Sequence, residues 1–241
     1  MRPKLELTGE TAISVDDAPA RQANSNLAVI SVPGKYAAIE ASYALDHGLS
    51  VFLFSDHVSI EDEIALKQKA CDAGLIVMGP DCGTALIAGT GVGFGNVVRS
   101  GPVGVVASSG TELQEFTCLM NHSGSGISHG LGTGRRDLSD GVGGLSTLAA
   151  IDALEADPAT EAIAIISKPP GEETSKRVAR RLEECGKPAA ACFLGLSPDS
   201  VSSAWRFKIC STLDDLANAA LGLVGSKPAT DPGEQNTEVQ E

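Results

Sequence analysis

Short apolar runs alternate with helical patterns along this chain. Six runs rich in Val, Ile or Ala begin at Leu27, Ser50, Leu75, Val103, Ala162 and Ala189. They are continuous rather than alternating, which is typical of strands covered on both faces, as in a parallel sheet. Residues 35–47 and 172–185 between them have helical spacing, and Ser59 with Asp62 resembles a capping box that opens a third helix. The alternation predicts βαβ units and an α/β fold with parallel sheets.

The same pattern divides the chain into four segments. We expect a domain over residues 27–124 with about four strands, and a second over residues 125–225 with three or four strands. Residues 1–26 have no such pattern and are expected to be weakly ordered. The polar tail 226–241 cannot bury enough apolar surface to order itself, so we expect it to be disordered.

Composition narrows the class of protein. The 241 residues are 42% hydrophobic, which is enough for folded cores, and carry a formal net charge of -13. An acidic surface repels nucleic acid and anionic lipid, so neither is an expected partner. We find neither an apolar run long enough to cross a membrane nor a signal-peptide core, and therefore expect a cytoplasmic protein.

The cysteines and histidines do not predict a metal site. Six cysteines fall at irregular spacings without a C-x-x-C pair, which favours buried free thiols over disulfides or zinc. Four histidines are scattered without any ligand spacing. We therefore expect no bound metal.

The first candidate site is the turn in "VVASSGTELQ", residues 105–114. Here a strand gives way to a helix through Ser109, Gly110 and Thr111. A helix start presents unpaired N–H groups and the positive end of the helix dipole, so a small glycine turn there suits a phosphate or carboxylate. Alternatively, Ser109 or Thr111 caps the helix.

The second candidate is "GLGTGRRDLSDGVGG", residues 130–144. Gly132 and Gly134 allow close approach of the backbone to a ligand, and Arg136, next to Arg135, offers a planar fork to an anion. Alternatively, this is a flexible loop whose arginines pair with Asp137 and Asp140.

Three further turns follow predicted strands, where ligands gather in open parallel sheets. They contain Lys168 in "SKPPG", Cys82 in "MGPDCGT", and Val32 with Pro33 in "SVPGKY". Lys168 could equally be a solvated lysine, and Cys82 could pack in a tight turn. No G-x-G-x-x-G, Walker A or G-x-S-x-G sequence is present, so the common nucleotide-binding loops and the serine hydrolase elbow are not indicated.

Five stretches taken together resemble the α subunit of succinyl-CoA ligase and its acyl-CoA synthetase relatives, with the nearest likeness to the FdrA-type branch. They are "VPGKYAAIEASYALDHG", "EDEIALKQKACDAGLIVMGPDCGT", "GPVGVVASSGT", "LEADPATEAIAIISKPPG" and "GKPAAACFLG". The likeness is collinear over roughly Leu27 to Leu223. It implies a truncated Rossmann-like CoA-binding domain followed by a flavodoxin-like ligase domain.

The resemblance also implies site roles. It places a phosphoryl group at Ser109, Gly110 and Thr111, with Gly132 and Gly134 nearby, and coenzyme A against Val32, Pro33 and Cys82. The ligases carry a phosphohistidine after the strand matched by "AAACFLG", and a glutamate beside it. This chain continues "LSPDSVSSAWRFKICSTLDDL" without a histidine and has Lys168 at the glutamate position.

A lysine suits a free anion, whereas a glutamate suits a cationic imidazole. We therefore expect an FdrA-type, succinyl-CoA-ligase-like subunit that handles an activated acyl group, with an acyl phosphate as its anionic substrate and Lys168 and Arg136 as catalytic residues. One alternative is a carboxamide-transferring subunit, a carbamoyltransferase acting on oxamate and carbamoyl phosphate in allantoin breakdown.

The other alternative is a non-catalytic CoA-binding subunit. The chain lacks the first glycine-rich loop with which the ligases contact coenzyme A. A partner subunit or a homo-oligomer would complete the site.

Overall fold

A computed structural model describes residues 24–196 and 207–225. The predictions for the N-terminal segment 1–26 and the tail 226–241 therefore fall almost entirely outside the described residues. Within them lie six helices: α1 (Gly34–Asp46), α2 (Ile60–Asp72), α3 (Gly110–His122), α4 (Leu145–Ala156), α5 (Glu172–Glu184) and α6 (Leu213–Leu223).

The described ranges also contain ten strands. They are β1 (Leu27–Ile30), β2 (Ser50–Leu53), β3 (Val77–Met78), β4 (Thr84–Ile87), β5 (Thr90–Gly93), β6 (Ser100–Ala107), β7 (Ile127–Gly132), β8 (Ala162–Ser167), β9 (Ala189–Phe193) and β10 (Lys208–Cys210). All six predicted apolar runs contain a strand, and every residue of β8 and β9 is buried. The prediction of strands covered on both faces is confirmed.

The first sheet is small and parallel. Its three strands follow chain order, β1-β2-β3, with α1 and α2 as the crossovers. Small residues let α1 pack closely, because Ala37, Ala41 and Ala44 are fully buried against this sheet. This is the Rossmann-like part of the fold.

The second sheet has seven strands in the order β10-β9-β8-β6-β7-β4-β5. Strands β6 to β10 are parallel and, numbered along the chain, stand in the order 2-1-3-4-5, which is the flavodoxin-like order. The hairpin β4-β5 adds an antiparallel edge through the pairing of β4 with β7. The expected α/β fold is confirmed, with this hairpin as an exception to purely parallel sheets.

The expected boundary near residue 124 falls inside the second sheet. Strand β6 precedes it, β7 follows it, and the two pair in parallel. The chain passes from one sheet to the other between Met78 and Thr84. The reason is that the strand that opens the flavodoxin-like order is β6, which pairs with later strands on both of its sides.

The flavodoxin-like order has a switch point between β6 and β8, where the chain winds away to opposite sides. In open α/β sheets, ligands bind outside the carboxyl ends of the strands at this point. The turn at Ser109 follows β6, and Lys168 follows β8. The topology therefore brings two of the predicted sites to one place.

Candidate functional site

The first turn of α3 lacks a side-chain cap. Ser109 occupies the N-cap position with extended backbone angles, but no side chain of the described residues accepts from the first N–H groups. The first intrahelical bond runs from the Leu113 N–H to the Ser109 carbonyl over 3.2 Å. The N–H groups of residues 110–112 have no partner within the helix, so they remain available to an anion.

This turn opens into a polar cavity of about 340 Å³, which we call the phosphate cavity. Its lining combines the start of α3 with cations, hydroxyls and one aromatic ring. The lining residues are Asp81, Gly83, Thr84, Phe94, Ser108, Ser109, Gly110, Thr111, Glu112, Gln114, Arg135 and Lys168. The predicted group Ser109, Gly110, Thr111 and Lys168 is therefore brought together.

Two buried hydroxyls tie the floor of the phosphate cavity to the switch point. The Ser108 Oγ at the end of β6 donates to the Ser167 Oγ at the end of β8 over 3.0 Å. Lys168, the next residue, is exposed at the rim. The bond holds the two strand ends in register, which places the ammonium group opposite the start of α3.

Arg136 lies elsewhere, and here the sequence-based placement at the phosphate is corrected. Its Nε donates to the Glu63 Oε2 and its Nη2 to the Val58 carbonyl, each over 2.8 Å. The neighbouring Arg135 reaches the phosphate cavity instead, with its Nε 3.5 Å from the Asp81 Oδ2. The two side chains of one dipeptide diverge, and sequence alone offers no signal that tells them apart.

Gly132 and Gly134 pack turns together beneath the phosphate cavity. A Cβ on Gly132 would lie 2.5 Å from the Cys82 Sγ, and one on Gly134 would lie 2.6 Å from the Pro80 carbonyl oxygen. Gly134 also has a φ of 86°, which favours glycine. Both glycines let the loop after β7 approach the loop before β4, and neither lines the cavity.

Cys82 is buried under this packing rather than turned toward a ligand. Its thiol donates toward the carbonyls of Thr84 and Gly132, each 3.5 Å away. Burial raises the pKa of the Cys82 thiol to about 12, so it stays protonated at neutral pH. Of the two interpretations of this residue, packing in a tight turn is the one that the contacts support.

Val32 and Pro33 lie at the carboxyl end of β1. Pro33 is the N-cap residue of α1, and the Val32 carbonyl accepts a hydrogen bond from the Ser55 hydroxyl over 2.6 Å. Neither residue lines the phosphate cavity. Their assignment to coenzyme A stays a prediction.

Glu112 and Phe94 are members of the lining that the sequence did not predict. One carboxylate oxygen of Glu112, Oε2, is buried and has no hydrogen-bond partner among the described residues. Phe94 is exposed at the rim, with its ring 5.5 Å from that of Phe54 in an edge-to-face contact. The cavity thus offers an unsatisfied acceptor and an apolar surface beside the cations.

Three observations concern features that a ligand or a membrane would require. Within the described ranges, no group of three His, Cys, Asp or Glu side chains is placed to hold a metal ion. No helix in that part of the chain is both long and apolar enough to span a bilayer. All six cysteines are free thiols, three of them buried.

Comparison with known proteins locates the chain among CoA ligases. No protein-family model matches it. Uncharacterized protein YahF of Escherichia coli K12 is 55% identical over 170 residues, which are 70% of this chain and 33% of YahF. The alpha subunit of ADP-forming succinate-CoA ligase from Methanothermobacter thermautotrophicus is 28% identical over 173 residues, 70% of this chain and 57% of that subunit.

The fold has a counterpart among solved structures. ATP citrate lyase from Methanothrix soehngenii, solved with citrate and coenzyme A, superimposes with a TM-score of 0.64 at 22% identity, over 87% of this chain and 37% of that chain. The chain spans less than two thirds of each of these three proteins. It is homologous to succinate-CoA ligase alpha subunits and has the mostly parallel α/β fold of the CoA-binding synthetases.

Proposed function

We propose that this chain is an FdrA-type, succinate-CoA-ligase-like subunit that binds an acyl phosphate, with the phosphate group at the start of α3. One observation carries the proposal: the uncapped first turn of α3 opens into a polar cavity whose rim holds Lys168 and Arg135. Helix N–H groups and two cations complement a phosphate. The homologous alpha subunits support a partner subunit in the assembled enzyme.

The same groups suit the departure of phosphate. A nucleophilic acceptor attacks the acyl carbon, the bond from that carbon to the phosphate oxygen breaks, and phosphate leaves with the bonding electrons. Negative charge then grows on the phosphate beside the N–H groups of residues 110–112 and the side chain of Lys168. Fixed dipoles and cations aimed at developing charge stabilise such a transition state.

The absence of histidine argues that the phosphate arrives on a small molecule. None of the described residues lining the phosphate cavity is a histidine. The sequence has none after His129, and residues 197–206, which follow the strand where the ligases place theirs, lie outside the described residues. A chain without that histidine cannot pass a phosphoryl group through it, so the acyl phosphate itself is the proposed substrate.

Glu112 favours carbamoyl phosphate among the acyl phosphates, and with it the carbamoyltransferase alternative. An unpartnered buried carboxylate oxygen costs free energy that a donor can recover. Carbamoyl phosphate carries an NH₂ group on the acyl carbon, whereas acetyl phosphate carries a methyl group. We therefore expect the NH₂ group to donate to Glu112.

Calorimetry on the full chain tests the proposal with carbamoyl phosphate, acetyl phosphate, inorganic phosphate and coenzyme A. Lys168→Ala should weaken binding of the three phosphate compounds by about tenfold or more, the cost of one charge-assisted hydrogen bond. Lys208→Ala, an exposed lysine on β10, is the matched control and should bind as the parent does. Carbamoyl phosphate should bind more tightly than acetyl phosphate, and Glu112→Ala should remove that preference.

Binding of coenzyme A without any phosphate compound would overturn the proposal. That result would support the non-catalytic CoA-binding subunit instead. Unchanged binding in Lys168→Ala would remove the lysine from the site.

A further inference from the structure

We infer that a second cavity beside the phosphate cavity binds the acyl acceptor, and that this acceptor is a small carboxylate that also carries an N–H or O–H group. The inference rests on the proposed function, which leaves the acceptor open. The second cavity, which we call the acceptor cavity, measures about 350 Å³ and lies among the loops after β2, β3 and β7. Its lining residues are Asp56, His57, Val58, Ser59, Pro80, Asp81, Arg135 and Arg136.

The two cavities adjoin at one pair of residues. Asp81 and Arg135 line both of them. A molecule in the acceptor cavity therefore meets the acyl phosphate across this pair. This is the geometry that a direct transfer between two bound substrates requires.

Arg136 presents a fixed guanidinium group to the acceptor cavity. Its bonds to Glu63 and to the Val58 carbonyl use two of its five N–H donors among the contacts of the described residues. The remaining donors are held in a planar fork, which matches the two oxygens of a carboxylate.

A buried lysine keeps the charge of Arg136 from being cancelled. The Glu63 carboxylate, 1% exposed, is shared between Arg136 and Lys67, whose Nζ lies 2.8 Å from the Glu63 Oε1 and is fully buried. Lys67 also donates to Asp137 over 2.7 Å and to the Thr133 carbonyl over 2.9 Å. This network anchors the loop after β7 to α2, so the guanidinium group keeps both its position and part of its charge.

Arg135 is held more loosely. Its side chain is 75% exposed, and its 3.5 Å separation from Asp81 is longer than a strong charge-assisted bond. It can therefore turn to an anion in either cavity without breaking a buried contact.

Backbone strain is concentrated at the acceptor cavity. His57 and Asp81 have φ values of 54° and 59°, in the left-handed region that non-glycine residues avoid. Ala88, in the β4-β5 hairpin, is the other non-glycine residue with positive φ in the described ranges. Strain of this kind clusters at sites that bind ligands, because surrounding structure must impose it.

The charges of the lining select the class of ligand. Two arginines face two carboxylates, Asp56 and Asp81, so the cavity does not favour a phosphate dianion. A single carboxylate satisfies the arginine forks, and an N–H or O–H group on the same molecule satisfies Asp81. This combination defines an amide acid, an amino acid or a hydroxy acid of a few carbons.

The transfer step balances without any redox partner. The nitrogen or oxygen of the acceptor forms a bond to the acyl carbon as the bond from that carbon to phosphate breaks. The proton of the acceptor passes to the Asp81 carboxylate, which returns it to solvent. Phosphate leaves with the bonding electrons toward Lys168.

Calorimetry on the full chain with three probes of equal length tests the inference. Succinamide has no carboxylate, succinamate has one carboxylate and one amide, and succinate has two carboxylates. We expect succinamate to bind most tightly and succinamide not to bind. Arg136→Gln should weaken succinamate binding about tenfold or more and change phosphate binding less than about twofold, whereas Lys168→Ala should do the reverse.

Two further variants keep the test independent of folding. Arg135→Gln removes an exposed side chain and should weaken both succinamate and phosphate. Arg136→Lys keeps the charge but loses the fork, so it should recover less than half of the lost succinamate affinity on a logarithmic scale. The unfolding temperature of each variant shows whether the fold is intact.

The outcomes separate this inference from the proposed function. Phosphate binding without succinamate binding, or succinamate binding that Arg136→Gln leaves unchanged, overturns the acceptor cavity alone. Succinamate binding without phosphate binding supports the cavity and overturns the proposed function. Loss of coenzyme A binding in Arg136→Gln, with no binding of succinamate to the parent, would show that the arginines hold a phosphate of coenzyme A and overturns the carboxylate.

Discussion

Two helices of this molecule begin in the same way in sequence and differently in structure. Both α2 and α3 follow parallel strands and have serine at the N-cap. At α2, the Ser59 Oγ accepts from the Asp62 N–H over 3.0 Å and donates to the Asp62 carboxylate over 2.8 Å. At α3, the Ser109 side chain makes no cap.

The difference does not come from the residues at the cap alone. Ser109 and Glu112 stand three apart, as in a capping box, yet the Glu112 Oε2 has no partner. Thr212 of α6, another hydroxyl residue at an N-cap, does cap its helix by accepting from the Asp215 N–H. An uncapped start at the switch point of the sheet thus leaves unsatisfied donors where a ligand can use them.

Lys67 offers the largest test, because it holds the start of α2 and the loop that carries Arg135 on one frame. Lys67→Met leaves the buried carboxylates of Glu63 and Asp137 short of a cation, which should lower the free energy of unfolding by about 3–5 kcal/mol. Urea denaturation measures this.

Lys69→Met on the same helix removes a partly exposed pair with Asp46 and should cost about 1 kcal/mol or less. A loss in Lys67→Met no greater than that in Lys69→Met would show that the buried network does not hold the frame together.

Ser109→Asp should reverse stability and function at α3. A carboxylate at the uncapped N-cap complements the helix dipole and should raise the free energy of unfolding by up to about 1 kcal/mol. The same carboxylate repels an incoming phosphate, so its affinity should fall about tenfold or more.

Ser59→Asp is the matched change at the capped helix. It should alter stability by a few tenths of a kcal/mol and leave phosphate binding unchanged. Equal loss of phosphate affinity in both variants, measured by calorimetry, would contradict the difference between the two helix starts.

The smallest effect separates the two serines by truncation. Ser59→Ala removes a formed cap and should lower the free energy of unfolding by about 1 kcal/mol, whereas Ser109→Ala should lower it by less than about 0.5 kcal/mol. Chemical denaturation of both variants measures the difference. If Ser109→Ala proves the more damaging of the two, its hydroxyl caps α3 after all.

Regular elements were predictable where the sequence pattern is strong. The apolar runs that became β8 and β9 are continuous because both faces of those strands are covered, and α5 turns Val178 and Leu182 inward as its spacing predicts. The segments "TALI", "TGVG" and "ISHGLG" became β4, β5 and β7 without being predicted. Glycines and a histidine interrupt the apolar pattern there, so pairing with neighbours decides their conformation.

The site divides along the same line. By itself, the sequence determined that a small, hydroxyl-rich turn lies between β6 and α3 and that Lys168 follows a strand, because strand order and helix starts are local patterns. Only the tertiary structure decided that Arg135 faces the phosphate cavity while Arg136 is held by Glu63, that Cys82 is buried, and that Ser109 leaves α3 uncapped. Those outcomes depend on contacts between residues far apart in the chain, and a local pattern carries no information about which distant group will be the partner.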